Sequence, residues 1–204
     1  MSVYLPAYED LRRRLAAHDP DHLVQSSGAR WLALDRIGLR CVGREYAITY
    51  PGGVVLDADG HEAEVSTAIL LLLYLTEATG RTLEGRWIAF EQLPGGAGYA
   101  ASFRGRVVAP LLRAFGTRPD ALARAAADLD GEPLSMGDVG VRLPALPRVP
   151  LAYVMWRGDE EFGPSVTVVF DASVEGYLDA EALTALAELA TRRLVDAGAA
   201  VSKE

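Results

Sequence analysis

The run Ala68–Leu75, Ala-Ile-Leu-Leu-Leu-Leu-Tyr-Leu, sets the tightest limit on what this chain can fold into. It lies inside a segment expected to be helical from Glu62 to Thr79, with Gly80 placed to end it. A helix on a protein surface shows one apolar stripe, but this one is apolar nearly all round, so other elements must cover it. Its apolar run, Ala68–Leu75, is eight residues long, far short of the roughly 20 that span a bilayer as a helix. The cover is therefore expected to be protein, and a chain that is 50% hydrophobic and 24% charged can supply it.

The elements around this helix follow from periodicity and from turn residues. A short N-terminal helix is expected over 7–18, with Tyr8, Leu11 and Leu15 on one face, ended by Asp19-Pro20-Asp21. Strands follow at 31–35, 39–42 and 46–50, the last two joined by a turn at Gly43-Arg44-Glu45, with a further short strand at 54–56. After the central helix come a strand at 87–90 and a glycine loop. A helix from about Gly98 to Phe115 is next, interrupted at Pro110, then one capped by Thr117 and Asp120. The last third reads as strands at 139–143, 151–156 and 166–170, then a helix over 180–197 capped by Asp179 and ended by Gly198. Strands, helices, strands and a helix without regular βαβ alternation predict an α+β fold. It is read as a single domain over 1–204, with packed helices, a mixed or mainly antiparallel sheet, and a frayed tail at 199–204.

The chemistry is constrained by scarcity. The chain has one cysteine, Cys41, three histidines, and a single lysine, Lys203, beside the C-terminus. Cys41 cannot form an intrachain disulfide, and alone it cannot supply the four protein ligands of an iron–sulfur cluster. Its apolar neighbours suggest a buried structural thiol. Pro20 separates His18 from His22. His61-Glu62-Ala63-Glu64 lacks the second histidine of H-E-x-x-H and reads as a solvated helix start, so no metal site is expected. A net charge of −8 disfavours nucleic-acid backbones. The N-terminal residues show no secretory pattern, which makes the cytoplasm the expected location and a membrane an unexpected partner.

Two loops stand out. Gly96-Ala97-Gly98-Tyr99-Ala100-Ala101 fits a relaxed G-x-G-x-x-A but lacks the βαβ context of a dinucleotide site. It reads either as a glycine loop that lets a helix start or as an anion site at that start, reinforced by Arg104 and Arg106. The run Trp156-Arg157-Gly158-Asp159-Glu160-Glu161-Phe162 places three acids between aromatics, with Asp171 after the next strand. It reads as a solvated acidic turn anchored by its aromatics, or as carboxylates for acid–base work.

Several blocks resemble a known family. They are Leu70–Leu75, the stretch Gly85-Arg86-Trp87-Ile88-Ala89-Phe90-Glu91-Gln92-Leu93-Pro94-Gly95-Gly96, Leu146–Pro150 running into Trp156–Phe162, then Phe170–Ser173 and Tyr177-Leu178. Together they resemble the bacterial and archaeal domain-of-unknown-function family 3786 over about 20–195. Members often carry the label iron–sulfur cluster-binding protein, and some occur beside corrinoid-dependent methyl-transfer systems. The resemblance implies no catalytic residues.

The leading expectation is a non-catalytic binding or accessory module. It would hold a small anionic ligand or a cofactor-bearing partner near Gly96 and Gly98, with Tyr99, Arg104 and Arg106 on one side and Trp87, Trp156 and Phe162 as apolar walls. One alternative is an enzyme using Asp159, Glu160, Glu161 and Asp171. Another is a structural subunit that docks a partner through an apolar patch. The residues name no cofactor and no oligomeric state.

Overall fold

The computed structural model describes residues 4–201, with side chains to 199. Its first helix, α1, spans Leu5–Ala17 and buries Leu11 and Leu15 as expected. Pro20 then starts a helix instead of only breaking one: α2 runs Pro20–Ser27. The Asp19 carboxylate accepts the Asp21 N–H at 3.2 Å, and Pro20 sits at the first helical position, where it lacks only an N–H that the helix leaves unpaired.

Four strands follow, β1 Arg30–Ala33, β2 Arg36–Cys41, β3 Arg44–Thr49 and β4 Val55–Leu56, forming an antiparallel sheet in that order. Ile37, Leu39 and Cys41 alternate inward and are buried with Tyr46 and Ile48. The β2–β3 turn lies one residue earlier than expected. Cys41 pairs with Arg44, so the turn is Val42-Gly43, at φ +44° and +73°. A β-branched residue rarely adopts that conformation. Val42 is held there from both sides: its N–H donates to the Ala145 carbonyl at 2.9 Å, and its carbonyl accepts from the buried Arg193 guanidinium at 2.7 Å. Arg193 also donates to the Cys41 carbonyl and the Tyr46 hydroxyl.

The central helix, α3, is Val65–Glu77, and Ala68, Leu70, Leu71, Leu72, Tyr74 and Leu75 are all buried. Helices α1, α2 and α7 (Ala180–Val201) pack along it, which is the cover its apolar surface requires. Strand β5 is Trp87–Ala89. The expected 98–115 helix is three pieces: α4 Gly96–Phe103, a π-helical turn Arg104–Val108, and α5 Ala109–Phe115. The chain accommodates Pro110 by widening just before it, with the Ala109 N–H donating back to the Arg104 carbonyl. Helix α6, Asp120–Ala127, has Pro119 at its cap position and no side-chain cap, so Thr117 does not form the expected box.

The second sheet holds β6 Glu132–Pro133, β7 Val139–Leu146, β8 Val149–Trp156 and β9 Ser165–Asp171, in the order β5-β9-β8-β7-β6 and antiparallel throughout. Pro144 and Pro150 do not end strands. They face each other across β7 and β8 beside an irregularity in the register, where a missing N–H is tolerated. In α7, Asp179 accepts the Ala182 N–H at 2.9 Å, and Leu183, Leu186, Ala190 and Leu194 form the buried stripe. Gly198 does not end α7. It lets the helix press against Phe115, whose Cε1 would lie 2.7 Å from an added Cβ. Of the tail expected at 199–204, residues 199–201 continue the helix and 202–204 lie outside the described residues. The architecture is α+β, and one contiguous set of buried side chains joins both sheets to the helices.

Candidate functional site

The glycine loop is a packing joint. Gly95 adopts φ +77° ahead of α4, and an added Cβ on Gly96 would lie 2.0 Å from the Phe90 carbonyl oxygen. That approach lets Phe103 stack on Phe90 with ring centroids 4.1 Å apart. The amides that an anion would use are partly taken: Gly96 N–H donates to the Leu93 carbonyl at 2.9 Å and Gly98 N–H to the Gly95 carbonyl at 3.1 Å. The expected cationic side is neutralised in part. Arg106 pairs with Glu188 of α7, and the Tyr99 hydroxyl donates to Glu181 at 3.0 Å. That carboxylate pushes the Tyr99 pKa up. Arg104 is exposed in the π-helical turn.

The expected apolar walls lie elsewhere. Side chains alternate across a sheet, so Ala152, Val154 and Trp156 share one face of β8. Ala152, Val154 and Val169 form a small cluster on that face, against which Trp87 packs. Tyr153 points to the opposite face and lies against Thr191 of α7, the helix that also holds Tyr99 and Arg106 through its acids. The sheet therefore separates Trp87 and Trp156 from Tyr99, Arg104 and Arg106. Phe162 does not pin the strand end to the body; it stands in the β8–β9 loop, 71% exposed.

The four carboxylates do not converge either. Asp159 accepts from the Phe162 and Glu161 N–H groups at 2.7 and 2.9 Å, which holds its carboxyl below the usual range. Glu160 and Glu161 are exposed. Asp171 is buried at the other end of β9, about 20 Å away at strand rise. It accepts from the N–H groups of Glu84, Gly85 and Ser173 at 2.9, 2.8 and 3.0 Å. Burial pushes its carboxyl up, but the Ser173 side chain and these three amides prevail and hold it low. Asp171 thus pins the turn before β5 to the end of β9.

Sequence reading missed the cleft that the fold does form. It has a volume of about 590 Å³ at the start of α7. Leu73, Leu93, Pro94, Leu178 and Leu183 supply its apolar lining. Glu77, Glu175 and Asp179 bring carboxylates, and Arg14 reaches across from α1 to pair with Glu77. These residues come from four separated stretches, so no local motif announced them. A second groove, of about 690 Å³, is lined mostly by charged side chains, including Arg40, Arg192, Arg193 and Asp196. At its edge, Asp57 and Asp59, which line it, and His61 bring ligand atoms within 4.8 Å of one another. Asp57 is already used there, accepting the Asp59 and His61 N–H groups at 3.0 and 2.9 Å to shape an exposed turn.

The family model for Domain of unknown function (DUF3786) matches residues 19–193. The chain belongs to that family. No curated protein and no solved structure matches it. The DUF3786 match includes all of the cleft except Arg14, which α1 contributes from outside the matched region. The iron–sulfur expectation that came with the resemblance does not fit the residues of this chain. Its one thiol, Cys41, is fully buried among apolar side chains, where burial pushes its pKa up to about 12, and a single thiol cannot supply the four ligands of a cluster. Burial likewise raises the pKa values of Tyr74 and Tyr153. Among the described residues, no helix of this DUF3786 chain is long and apolar enough to cross a membrane.

Proposed function

We propose that this chain is a binding module and that its ligand seats in the cleft at the start of α7. The observation that carries the reading is the cleft itself. Its volume, about 590 Å³, falls in the range of small-molecule sites, and it combines an apolar lining with a few polar groups. The sign of the ligand follows from the lining. Three carboxylates face one guanidinium, and that guanidinium is paired with Glu77. Glu175 and Asp179 remain, with Asp179 fixed in place by capping α7. This arrangement favours a ligand that joins a cationic group to an apolar body over the anion expected at the glycine loop.

Titration calorimetry with 2-phenylethylamine and with its carboxylate counterpart, 3-phenylpropionate, tests this. The amine should saturate and the acid should not. Glu175→Gln should weaken the amine by about fivefold, in line with roughly 1 kcal/mol for one partly exposed ion pair. Equal binding of both compounds, or of neither, would remove the reading.

A second reading, an accessory module that docks a partner, is supported by one separate observation, the bare aromatic ring of Phe162.

A further inference from the structure

Most large apolar side chains of the described residues are buried, but the loop between β8 and β9 exposes one ring and the strand end at its foot another. Phe162 is 71% exposed and Trp156, at the foot of the loop, is 41% exposed. Neither exposure reflects a slack loop. The Phe162 N–H donates to Asp159, and its carbonyl accepts the Asp159 N–H at 2.8 Å. Gly158 is required by the closure of the loop, because an added Cβ would lie 2.9 Å from the Pro164 nitrogen. The foot is tied to the body: Arg157 reaches Asp120 of α6 at 2.7 Å, and the Arg157 N–H donates to Asp138. Pro164 packs beside Gly116, leaving only 3.2 Å to an added Cβ. The ring of Phe162 is thus presented at a fixed position with nothing to cover it.

The charge around the ring indicates what would cover it. Asp159, Glu160 and Glu161 directly precede it in the loop, and among the described residues none of them forms an ion pair. The one arginine in the loop, Arg157, is committed to Asp120. A fixed aromatic ring in uncompensated negative charge complements an apolar pocket rimmed by positive charge. A second copy of this chain would bring the same acids together, and a nucleic acid or an anionic membrane would be repelled.

We infer that the β8–β9 loop is a docking knob for a partner protein, with Phe162 as its anchor and Asp159, Glu160 and Glu161 pairing with arginine or lysine around the partner's pocket. The knob lies at the opposite end of β9 from the segment that leads into the α7 cleft, so this inference does not rest on the ligand reading. So small a contact falls in the class of transient interfaces, below about 1,200 Å², and the complex should be salt-sensitive.

The test begins with the full chain carrying p-benzoylphenylalanine in place of Phe162, irradiated in cells of its source, with the same label at the exposed Leu34 as control. The protein cross-linked at 162 is then purified, and its affinity is measured for the unlabelled chain and two variants. Phe162→Ala should weaken binding at least tenfold. The double variant Glu160→Gln, Glu161→Gln should weaken it about fivefold and flatten its dependence on salt. Both variants should keep the thermal stability and the amine affinity of the parent, which separates failure of the knob from failure of the cleft. The inference is overturned if no protein is captured above the Leu34 control, or if the captured protein binds all three chains alike. It is also overturned if Phe162→Ala abolishes a dimer of this chain or its binding to anionic vesicles, since either result would assign the loop to another occupant.

Discussion

The β2–β3 turn and the β8–β9 loop both reverse the chain between antiparallel strands, yet they keep their shapes by different means. Val42-Gly43 takes a conformation costly for a β-branched residue, and the core imposes it through the buried Arg193 and the Ala145 carbonyl. The β8–β9 tip is closed by its own Asp159, and its largest side chain faces solvent. A turn held from within has its side chains committed to stability. A turn that closes on itself leaves its side chains free to meet something else.

Four measurements would break or sharpen that contrast. Arg193→Met leaves two carbonyls and the Tyr46 hydroxyl without their donor, and should cost about 3 kcal/mol in urea unfolding. An unchanged midpoint would show that the turn does not depend on the core. Asp171, which pins a turn from a buried position as Arg193 does, should cost about 2 kcal/mol when changed to Asn. Its carboxyl is held low, so its contribution is present above the unfolded value, about 3.9, and is lost as pH falls through the lower folded value. Acid unfolding of the Asn variant should therefore be less steep in that window. Gly43→Ala places a side chain at φ +73° against the Leu129 backbone and should cost about 1.5 kcal/mol. Asp159→Ala should shift stability by no more than about 0.5 kcal/mol. It should nevertheless speed hydrogen exchange at the Phe162 amide, which loses its acceptor.

The sequence revealed the elements better than their meeting points. The all-apolar helix and the stripe of α7 were legible because burial on a helix leaves a periodic trace. Helix α2 was not, because Pro20 was read as a breaker although a proline after a capping aspartate also starts a helix. Gly198 looked like a stop, but its small size serves contact with Phe115. The face on which Trp156 lies was hidden because β8 is buried on both faces from Val149 to Met155 and shows no alternation. The resemblance blocks indicated the family correctly. They also contain Leu73, Leu93, Pro94, Tyr177 and Leu178 of the cleft, but nothing in the order of residues says that these segments converge.

The π-helical turn carries a final consequence. Phe103, Val107, Leu111 and Phe115 are all buried and recur every fourth residue. On a regular α-helix that spacing would drift by about 40° per step and carry the last ring well away from the first. The wide turn at Arg104–Val108 corrects part of the drift, so the segment behaves as a helix carrying one inserted residue. Rewinding this turn as ordinary α-helix at the same length would swing the Phe103 end about 100° relative to Phe115, whereas deleting Gly105, which has open space around it, would restore ordinary winding and keep the two rings in phase. The core register therefore depends on the wide turn as long as that residue is present.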